Sequence, residues 1–258
     1  MPQAAGIDYA VSSGGSPSGD PPLVLIHGAG GSRLHWPPEL RRPEGRVVYS
    51  IDLPGHGRSK GSAADRIEQY ADAVTQWMGA VDLPPAVVVG HSMGGAIAQQ
   101  IAFEDRARLA GLVLIGTGNR LPVNESLLQL TASAETFPKA AELIIRWQFS
   151  RQVDPALAAL AKESLEMIDH SVMHADLTAC SRFDVTERNP IVALRALPVI
   201  VICGQDDKMT PPAMNQALVD FIPQAELVTI PSAGHMVMLE KPAEVAATVR
   251  AFLDRQNL

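Results

Sequence analysis

The segment from Ala86 to Gly95 constrains the fold of this chain more than any other stretch. It reads Ala-Val-Val-Val-Gly-His-Ser-Met-Gly-Gly, and the following run Ala96–Phe103 has helical character. A β-branched run that leads through a Gly-x-Ser-x-Gly turn into a helix predicts a sharp strand–turn–helix connection. Such a turn holds Ser92 out of regular structure, near a helix N-terminus where backbone N–H groups favour negative charge. Ser92 is therefore the predicted nucleophile.

Short apolar runs alternate with longer helical segments on both sides of that turn. Most runs are rich in Val, Ile and Leu without polar alternation, which is typical of parallel strands covered on both faces. The alternation predicts an α/β fold with a mainly parallel sheet and helices on both sides. The predicted strands are Ile7–Val11, Pro22–His27, Arg46–Asp52, Ala86–Gly90, Leu112–Gly116, Val199–Gly204 and Leu227–Ile230, and the predicted helices are Arg66–Ala80, Met93–Glu104, Pro212–Phe221 and Ala243–Asp254.

Residues Asn119–Leu197 interrupt the alternation because they contain no convincing strand. A helical insertion of this length in an alternating chain is a candidate lid. We therefore expect a core built from residues 1–118 and 198–258, with a helical lid over residues 119–197. The helical stretches predicted within it are Glu125–Ser133, Pro138–Ser150, Pro155–Asp169 and Val172–Arg182.

A second glycine-rich stretch, from His27 to Ser32, follows the first core strand. It does not match the Gly-x-Gly-x-x-Gly pattern of dinucleotide-phosphate loops, because Arg33 stands at the last position. The alternative is a loop that lends a backbone N–H to an oxyanion, together with the N–H of the residue after the nucleophile. The predicted donors are Ala29 and Met93, and we expect no cofactor.

A serine nucleophile needs a base, and the base needs a third group that fixes its tautomer. His235 follows the last predicted strand, so it shares the sheet edge to which Ser92 is presented. The acid should follow the preceding strand, where the sequence offers both Asp206 and Asp207. For the histidines in glycine-rich turns we expect local hydrogen bonding; these are His27, His56 and His91.

Taken together, the motifs of this chain resemble those of the α/β-hydrolase family over nearly its whole length. The resemblance implies an eight-stranded, mostly parallel sheet. It also implies an acid four residues before a proline, which favours Asp207 because Pro211 follows it, and it disfavours enzymes with an aspartate nucleophile, such as epoxide hydrolases and haloalkane dehalogenases. The motifs are His27-Gly28, Asp52–Ser59, the Ser92 turn, Gly204–Asp207 and Gly234-His235.

The Ser92 turn is similar to that of carboxylesterases, cofactor-free perhydrolases, enol-lactonases and carbon–carbon bond hydrolases. These enzymes share acyl-transfer chemistry, so the pocket has to supply the selectivity. We expect a largely uncharged ester of small or medium acyl chain as the substrate. The candidate pocket residues are Trp147, Phe149, Met167, Met173 and Met236.

Two other functions stay open at this point. A carbon–carbon bond hydrolase or enol-lactonase of aromatic catabolism would act on an anionic substrate and would need a cation in the pocket. A ligand-sensing or partner-binding protein with slow turnover is an alternative of a different class. The candidate cations in the insertion are Arg146, Arg151 and Arg182.

Composition narrows the choice of partner. The formal net charge is −7 and the 21 basic residues are scattered, whereas nucleic acids and anionic membranes bind concentrated basic patches. No apolar stretch reaches the ~18–20 residues of a membrane span. His170 and His174 have metal-ligand spacing, but two histidines favour a solvated helix face over a metal site. We expect a cytoplasmic monomer or homodimer that acts on a small molecule without a metal.

Overall fold

The computed structural model describes residues 2–13, 19–43, 45–190, 194 and 196–258, so residues 191–193 and 195 of the predicted insertion lie outside it. Its strands are β1 (Gln3–Ala4), β2 (Ile7–Ser13), β3 (Leu23–Ile26), β4 (Val47–Ile51), β5 (Ala86–His91), β6 (Leu109–Ile115), β7 (Val199–Gly204) and β8 (Glu226–Ile230). They form one sheet in the order β1-β2-β4-β3-β5-β6-β7-β8. Among the neighbouring strands of this described sheet, only the pairs β1–β2 and β2–β4 are antiparallel. The predicted eight-stranded, mostly parallel sheet is confirmed.

Helices cover both faces of this sheet, also as predicted. They are α1 (Pro38–Arg41), α2 (Ile67–Ala80), α3 (Met93–Glu104), α4 (Glu125–Thr131), α5 (Phe137–Gln148), α6 (Pro155–Glu166), α7 (His170–Arg182), α8 (Pro212–Phe221), α9 (Val237–Glu240) and α10 (Pro242–Gln256). One apolar core lies between the sheet and helices α2, α3 and α8. A second core lies between the other face of the sheet and helices α1 and α10.

The strands read as continuous apolar runs because each of their faces packs against one of these cores. Val24 and Ile26 of β3 belong to the core under α2 and α3, whereas Leu23 and Leu25 belong to the opposite core. Successive side chains of a strand point to opposite faces, and burial of each such side chain stabilises the fold by roughly 1.5–3 kcal/mol. A polar residue at any of these positions would face an apolar core.

The parallel register brings the carboxyl ends of the central strands to one edge of the sheet. Ile26 at the end of β3 pairs with Gly90 of β5, and His91 pairs with Ile115 at the end of β6. Gly204 of β7 pairs with Ile230 of β8 in the same way. The loops that follow these strands therefore meet at this edge.

The predicted helical insertion contains helices α4–α7. They share a small apolar core of their own, to which Phe137, Ile144 and Leu177 contribute. Arg120, near the start of the insertion, pairs with Asp184, which follows α7, in an antiparallel bridge. Mobility of these helices as a lid stays a prediction.

The expectation that His170 and His174 lie on a solvated helix face is wrong. Both rings are half-buried and their Nδ1 atoms contact helix α4, at 3.2 Å from the carbonyl oxygens of Thr131 and Leu128 respectively. These contacts join α7 to α4. Within the described residues, no cluster of three or more His, Cys, Asp or Glu side chains could hold a metal ion. No described helix is long and apolar enough to cross a membrane.

Candidate active site

Ser92 lies at the junction of β5 and α3 in a strained backbone conformation. Its φ and ψ angles are 52° and −117°, in a region that non-glycine residues rarely adopt. Hydrogen bonds on both sides hold this conformation. The Ser92 N–H donates to the carbonyl of Ile115 at 2.9 Å, and the Ser92 carbonyl accepts from the Thr117 hydroxyl at 2.9 Å. The predicted turn therefore projects the Ser92 side chain from the sheet edge.

Gly94 lets the first turn of α3 pack directly on the end of β3. A Cβ atom at this position would lie 2.2 Å from the carbonyl oxygen of Ile26, and backbone atoms cannot move aside as a flexible side chain can. This close approach is a steric reason for glycine at position 94, and it involves no catalytic role.

We expect Gly94→Ala to lower the free energy of unfolding by about 1–3 kcal/mol, the usual cost of forcing an extra group into a well-packed site. Gly79→Ala is the matched control, because Gly79 also lies within a helix and its added Cβ would meet only the flexible Arg108 guanidinium at 3.3 Å. Urea unfolding measures both variants. Equal stability of the two would contradict the steric account.

His235 and Asp207 are brought together in the loops after β8 and β7. Both side chains are almost fully buried, and His235 Nδ1 lies 2.9 Å from Asp207 Oδ2. Asp206 is exposed, and its N–H donates to the carbonyl of Ala233 at 2.8 Å. Of the two neighbouring aspartates, only Asp207 faces the histidine.

The loop after β7 wraps around the Asp207 carboxylate. Oδ1 accepts from the N–H groups of Met209 and Thr210 at 2.8 and 2.9 Å, and Oδ2 accepts from the Thr210 hydroxyl at 2.8 Å. Burial alone would raise the pKa of Asp207, but the charge and hydrogen bond of His235 and the bonds from Thr210 lower it. The ionised carboxylate accepts Nδ1–H of His235, which leaves the Nε2 lone pair available for a proton.

His91 contacts both the backbone and the ring of His235, a role that sequence reasoning missed. Its Nε2 lies 3.0 Å from the backbone oxygen of His235, and the two ring centroids are 4.7 Å apart with their planes tilted by 52°. Burial, together with the nearby charge of His235, lowers the pKa of His91 to about 3, so the ring is neutral and donates Nε2–H. The expectation of a local partner for His91 is wrong, because the two residues are 144 positions apart.

The other two histidines of glycine-rich turns each have one local and one distant partner. His27 Nδ1 lies 2.8 Å from the oxygen of Gly28, and its Nε2 accepts from the N–H of the distant Leu53 at 3.1 Å. His56 Nδ1 has a local partner, Pro54, and its Nε2 lies 2.8 Å from Oδ2 of the distant Asp176. The prediction of local hydrogen bonding is therefore correct but incomplete for both residues.

The glycine-rich loop after β3 passes directly over the Ser92 side chain. A Cβ atom at Gly28 would lie 3.1 Å from Cβ of Ser92, and the next residue, Ala29, lines the same cleft as Ser92. Met93 occupies the first position of α3. Neither the Ala29 N–H nor the Met93 N–H bonds to another residue in the described part of the chain. Both predicted donors thus flank the Ser92 side chain.

A cleft of about 310 Å³ opens at Ser92 between the sheet edge and the helical insertion. A smaller chamber of about 30 Å³ adjoins it and contains both Ser92 and His235. The cleft is lined mainly by apolar side chains, namely Leu121, Val123, Leu127, Trp147, Leu177 and Met214. Such a lining suits an apolar acyl or alkyl group.

Three of the five predicted pocket residues lie at these cavities. Trp147 lines the cleft, and Met173 and Met236 line the chamber. Met167 caps the end of α6 and is 88% exposed, so the prediction for it is wrong. Phe149 is also wrongly predicted, because it follows the end of α5 and packs into the core under α10.

The candidate cations of the insertion lie away from both cavities. Arg146, Arg151 and Arg182 are exposed and line neither the cleft nor the chamber, and Arg182 pairs with Asp65. Lys208, next to Asp207, lines the cleft instead. Its side chain is exposed, so it lies at the mouth.

Comparisons with known proteins show the family to which this chain is related. A model of the alpha/beta hydrolase family matches residues 23–248. The chain is 31% identical over 248 residues to the dihydrolipoyllysine-residue acetyltransferase component of an acetoin cleaving system from Pseudomonas putida, covering 91% of this chain and 64% of that protein. It is 30% identical over 246 residues to 2-hydroxymuconate semialdehyde hydrolase from Pseudomonas sp. strain CF600, covering 90% and 86% respectively.

Solved structures give the same result. A thermophilic esterase superposes with a TM-score of 0.81 at 31% identity, covering 97% of this chain and 98% of that one. An enol-lactonase from Burkholderia xenovorans LB400 superposes with a TM-score of 0.86 at 22% identity, covering 96% of both chains, a likeness that concerns the fold alone. The family model spans most of the sequence. This chain therefore belongs to the alpha/beta hydrolase family.

Proposed function

We propose that this protein is a serine hydrolase that cleaves carboxylic esters of small or medium acyl chain through an acyl-enzyme. The observation that carries the proposal is the meeting of Ser92 with the buried His235–Asp207 pair at one small chamber. The apolar lining of the adjoining cleft supports an uncharged acyl group. The similarity to a thermophilic esterase points in the same direction.

In the proposed mechanism, Ser92 Oγ attacks the ester carbonyl carbon while its proton passes to His235 Nε2. The backbone N–H groups of Ala29 and Met93 stabilise the resulting oxyanion. Collapse of this intermediate expels the alcohol, which takes the proton from His235. Water then attacks the acyl-enzyme with His235 as base, and the acid leaves as the proton returns to Ser92. Asp207 keeps the proton on Nδ1 throughout.

A panel of p-nitrophenyl esters of increasing acyl length tests the substrate class. We expect kcat/KM to be highest for acyl chains of two to about six carbons, because a cleft of about 310 Å³ is at the lower end of the roughly 300–1,000 Å³ of ligand pockets. Activity should fall for longer chains that project into solvent. A preference for chains of twelve carbons or more would contradict the proposal.

An anionic substrate is the second candidate, and Lys208 at the cleft mouth is the observation that favours it. The similarity to 2-hydroxymuconate semialdehyde hydrolase also supports it. The panel therefore includes a lactone, a dienoate with a carboxylate, and esters of a dicarboxylic acid. Selective loss of activity toward the charged members in Lys208→Met, with neutral esters unaffected, would favour the carbon–carbon bond hydrolase or lactonase. Equal effects on both groups would favour the neutral ester.

Turnover separates an enzyme from a ligand sensor. Multiple turnovers of p-nitrophenyl acetate or butyrate support an enzyme. A single acylation that is followed by capture of a partner protein would instead support the sensor.

A further inference from the structure

Helix α7 of the insertion places a fully buried carboxylate, Asp176, against the core of the protein. Three donors from three separate elements meet this side chain. The Gly30 N–H donates to Oδ2 at 2.7 Å, His56 Nε2 lies 2.8 Å from the same oxygen, and the Tyr70 hydroxyl donates to Oδ1. A buried carboxylate is costly unless it is paired and hydrogen-bonded. The proposed acyl transfer does not use the Asp176 carboxylate directly, so we looked for another role among the groups that it contacts.

His56 supplies the charge that balances this carboxylate. Its Nδ1 faces the carbonyl oxygen of Pro54 at 3.0 Å, and its Nε2 faces Asp176. Because both ring nitrogens face acceptors, both carry protons and the ring is an imidazolium. Burial alone would lower the pKa of His56, but the hydrogen bond and charge of Asp176 outweigh it, and the pKa is raised. The Asp176 carboxylate is therefore paired with the His56 ring inside the protein.

The Gly30 N–H that Asp176 accepts belongs to the turn over Ser92. The Gly31 N–H donates to the Gly28 oxygen at 3.0 Å, and Gly30 has a φ of +60°. A positive φ at the third residue is typical of a type II turn. Types I and II differ by reversal of the central peptide, which here joins Ala29 to Gly30. Reversal would turn the Ala29 carbonyl toward the negative Asp176.

We propose that Asp176 is a positioning residue that holds the Gly28–Gly31 turn, and with it the Ala29 N–H, in the one conformation that receives the oxyanion. The inference rests on the proposed function, which gives the Ala29 N–H its purpose. Packing from the same helix supports it, because a Cβ at Gly30 would lie 2.2 Å from Cε of Met173, one turn before Asp176. The insertion thus completes the oxyanion site as well as the cleft.

Asp176→Asn tests this role with Asp169→Asn as the matched control. The asparagine keeps the shape of the side chain but offers one acceptor oxygen to three donors. Removal of an oxyanion donor lowers kcat by about 10²–10³, so loosening one should lower kcat by about 10–100-fold with KM within twofold. Asp169 caps the same helix at its exposed end, and asparagine also caps helices. A kcat in Asp176→Asn that equals the control's would overturn the inference.

Tyr70→Phe separates positioning from stability. This variant removes the bond to Oδ1 and leaves the Gly30 bond to Oδ2, so we expect a lower free energy of unfolding with kcat within threefold of wild type. A loss of kcat as large as that in Asp176→Asn would mean that general destabilisation explains both, which contradicts a positioning role.

Affinity for an alkyl boronic acid gives a readout specific to the oxyanion site, because its adduct with Ser92 mimics the tetrahedral intermediate. We expect Asp176→Asn to lose affinity by about the same factor as kcat, while binding of the product carboxylic acid stays the same. Unchanged boronate affinity would contradict the inference.

Hydrogen exchange of the Gly30 amide tests the same claim in the wild-type protein, in case Asp176→Asn does not fold. An N–H bonded to a buried carboxylate should exchange slowly, and exchange as fast as in an open loop would contradict the role. Failure here leaves the proposed function intact, since that function is tested separately by the activity of Ser92→Ala and by the ester panel.

Discussion

Replacement of Ser92 by alanine is expected to lower kcat for ester hydrolysis by about 10⁴–10⁶-fold while the fold stays intact. The nucleophile and its base act as a unit, so loss of either leaves only the contribution of binding and the oxyanion donors. His235→Ala should therefore cause a loss of the same order, and the double variant should lose little more. Steady-state kinetics with p-nitrophenyl butyrate and thermal unfolding measure these effects.

The strained backbone at Ser92 makes the stability of this variant informative. Alanine has the same difficulty as serine at a φ of 52°, so we expect a melting temperature within a few degrees of wild type. Ser126→Ala in helix α4 is the control, because Ser126 is exposed and does not line the cleft. Hydrolysis by Ser92→Ala at the rate of that control would remove Ser92 from the mechanism.

Asp207→Asn should lower kcat by about 10⁴-fold, whereas Asp206→Asn should remain within twofold of wild type. An asparagine beside His235 can donate its own N–H to Nδ1, which fixes the wrong tautomer and removes the lone pair at Nε2. The two neighbours form a matched pair, since each changes one carboxylate in the same loop. Only Asp207 lies 2.9 Å from His235 Nδ1.

The pH dependence of kcat/KM refines this comparison. The charge and hydrogen bond of His235 and the bonds from Thr210 lower the pKa of Asp207, so protonation of Asp207 should not limit kcat/KM near neutral pH. A larger loss of kcat/KM in Asp206→Asn than in Asp207→Asn would show that the spacing of four residues before Pro211 indicates the wrong aspartate.

Local patterns are sufficient to predict seven of the eight described strands, most of the described helices and the Ser92 turn from the sequence. The bounds predicted for α3, α8 and β7 agree with the structure, because buried apolar runs between turn residues leave few alternatives. Strand β1 was missed because two residues carry no periodicity. The order of Ser92, Asp207 and His235 along the chain was readable because each follows a strand that ends at the same sheet edge.

Long-range contacts account for what the sequence did not reveal. Asp176 looked like one of several charged residues on a helix, and only the packing of α7 against the core brings it to Gly30 and His56. Thr210 and His91 support the pair of His235 and Asp207 through bonds across 25 and 144 positions. The only available signals were a histidine beside the nucleophile and a threonine beside a proline.

The sequence also does not show in which direction the side chains of the insertion point. Met167 and Met173 are only six positions apart, but Met167 ends α6 in solvent and Met173 presses on the Gly30 turn. Apolar residues at helical spacing predict a buried face without indicating whether it meets a core or a cavity. The residues that line the cleft are therefore visible only once the helices of the insertion are packed.

Covalent labelling with phenylmethylsulfonyl fluoride tests the central claim most directly. The reagent sulfonylates a serine that is activated by a neighbouring base, so intact-mass spectrometry should show one label per chain together with loss of esterase activity. Peptide mapping should place it on Ser92, and Ser92→Ala and His235→Ala should remain unlabelled. A label on another residue, or full inactivation without modification of Ser92, would contradict the account.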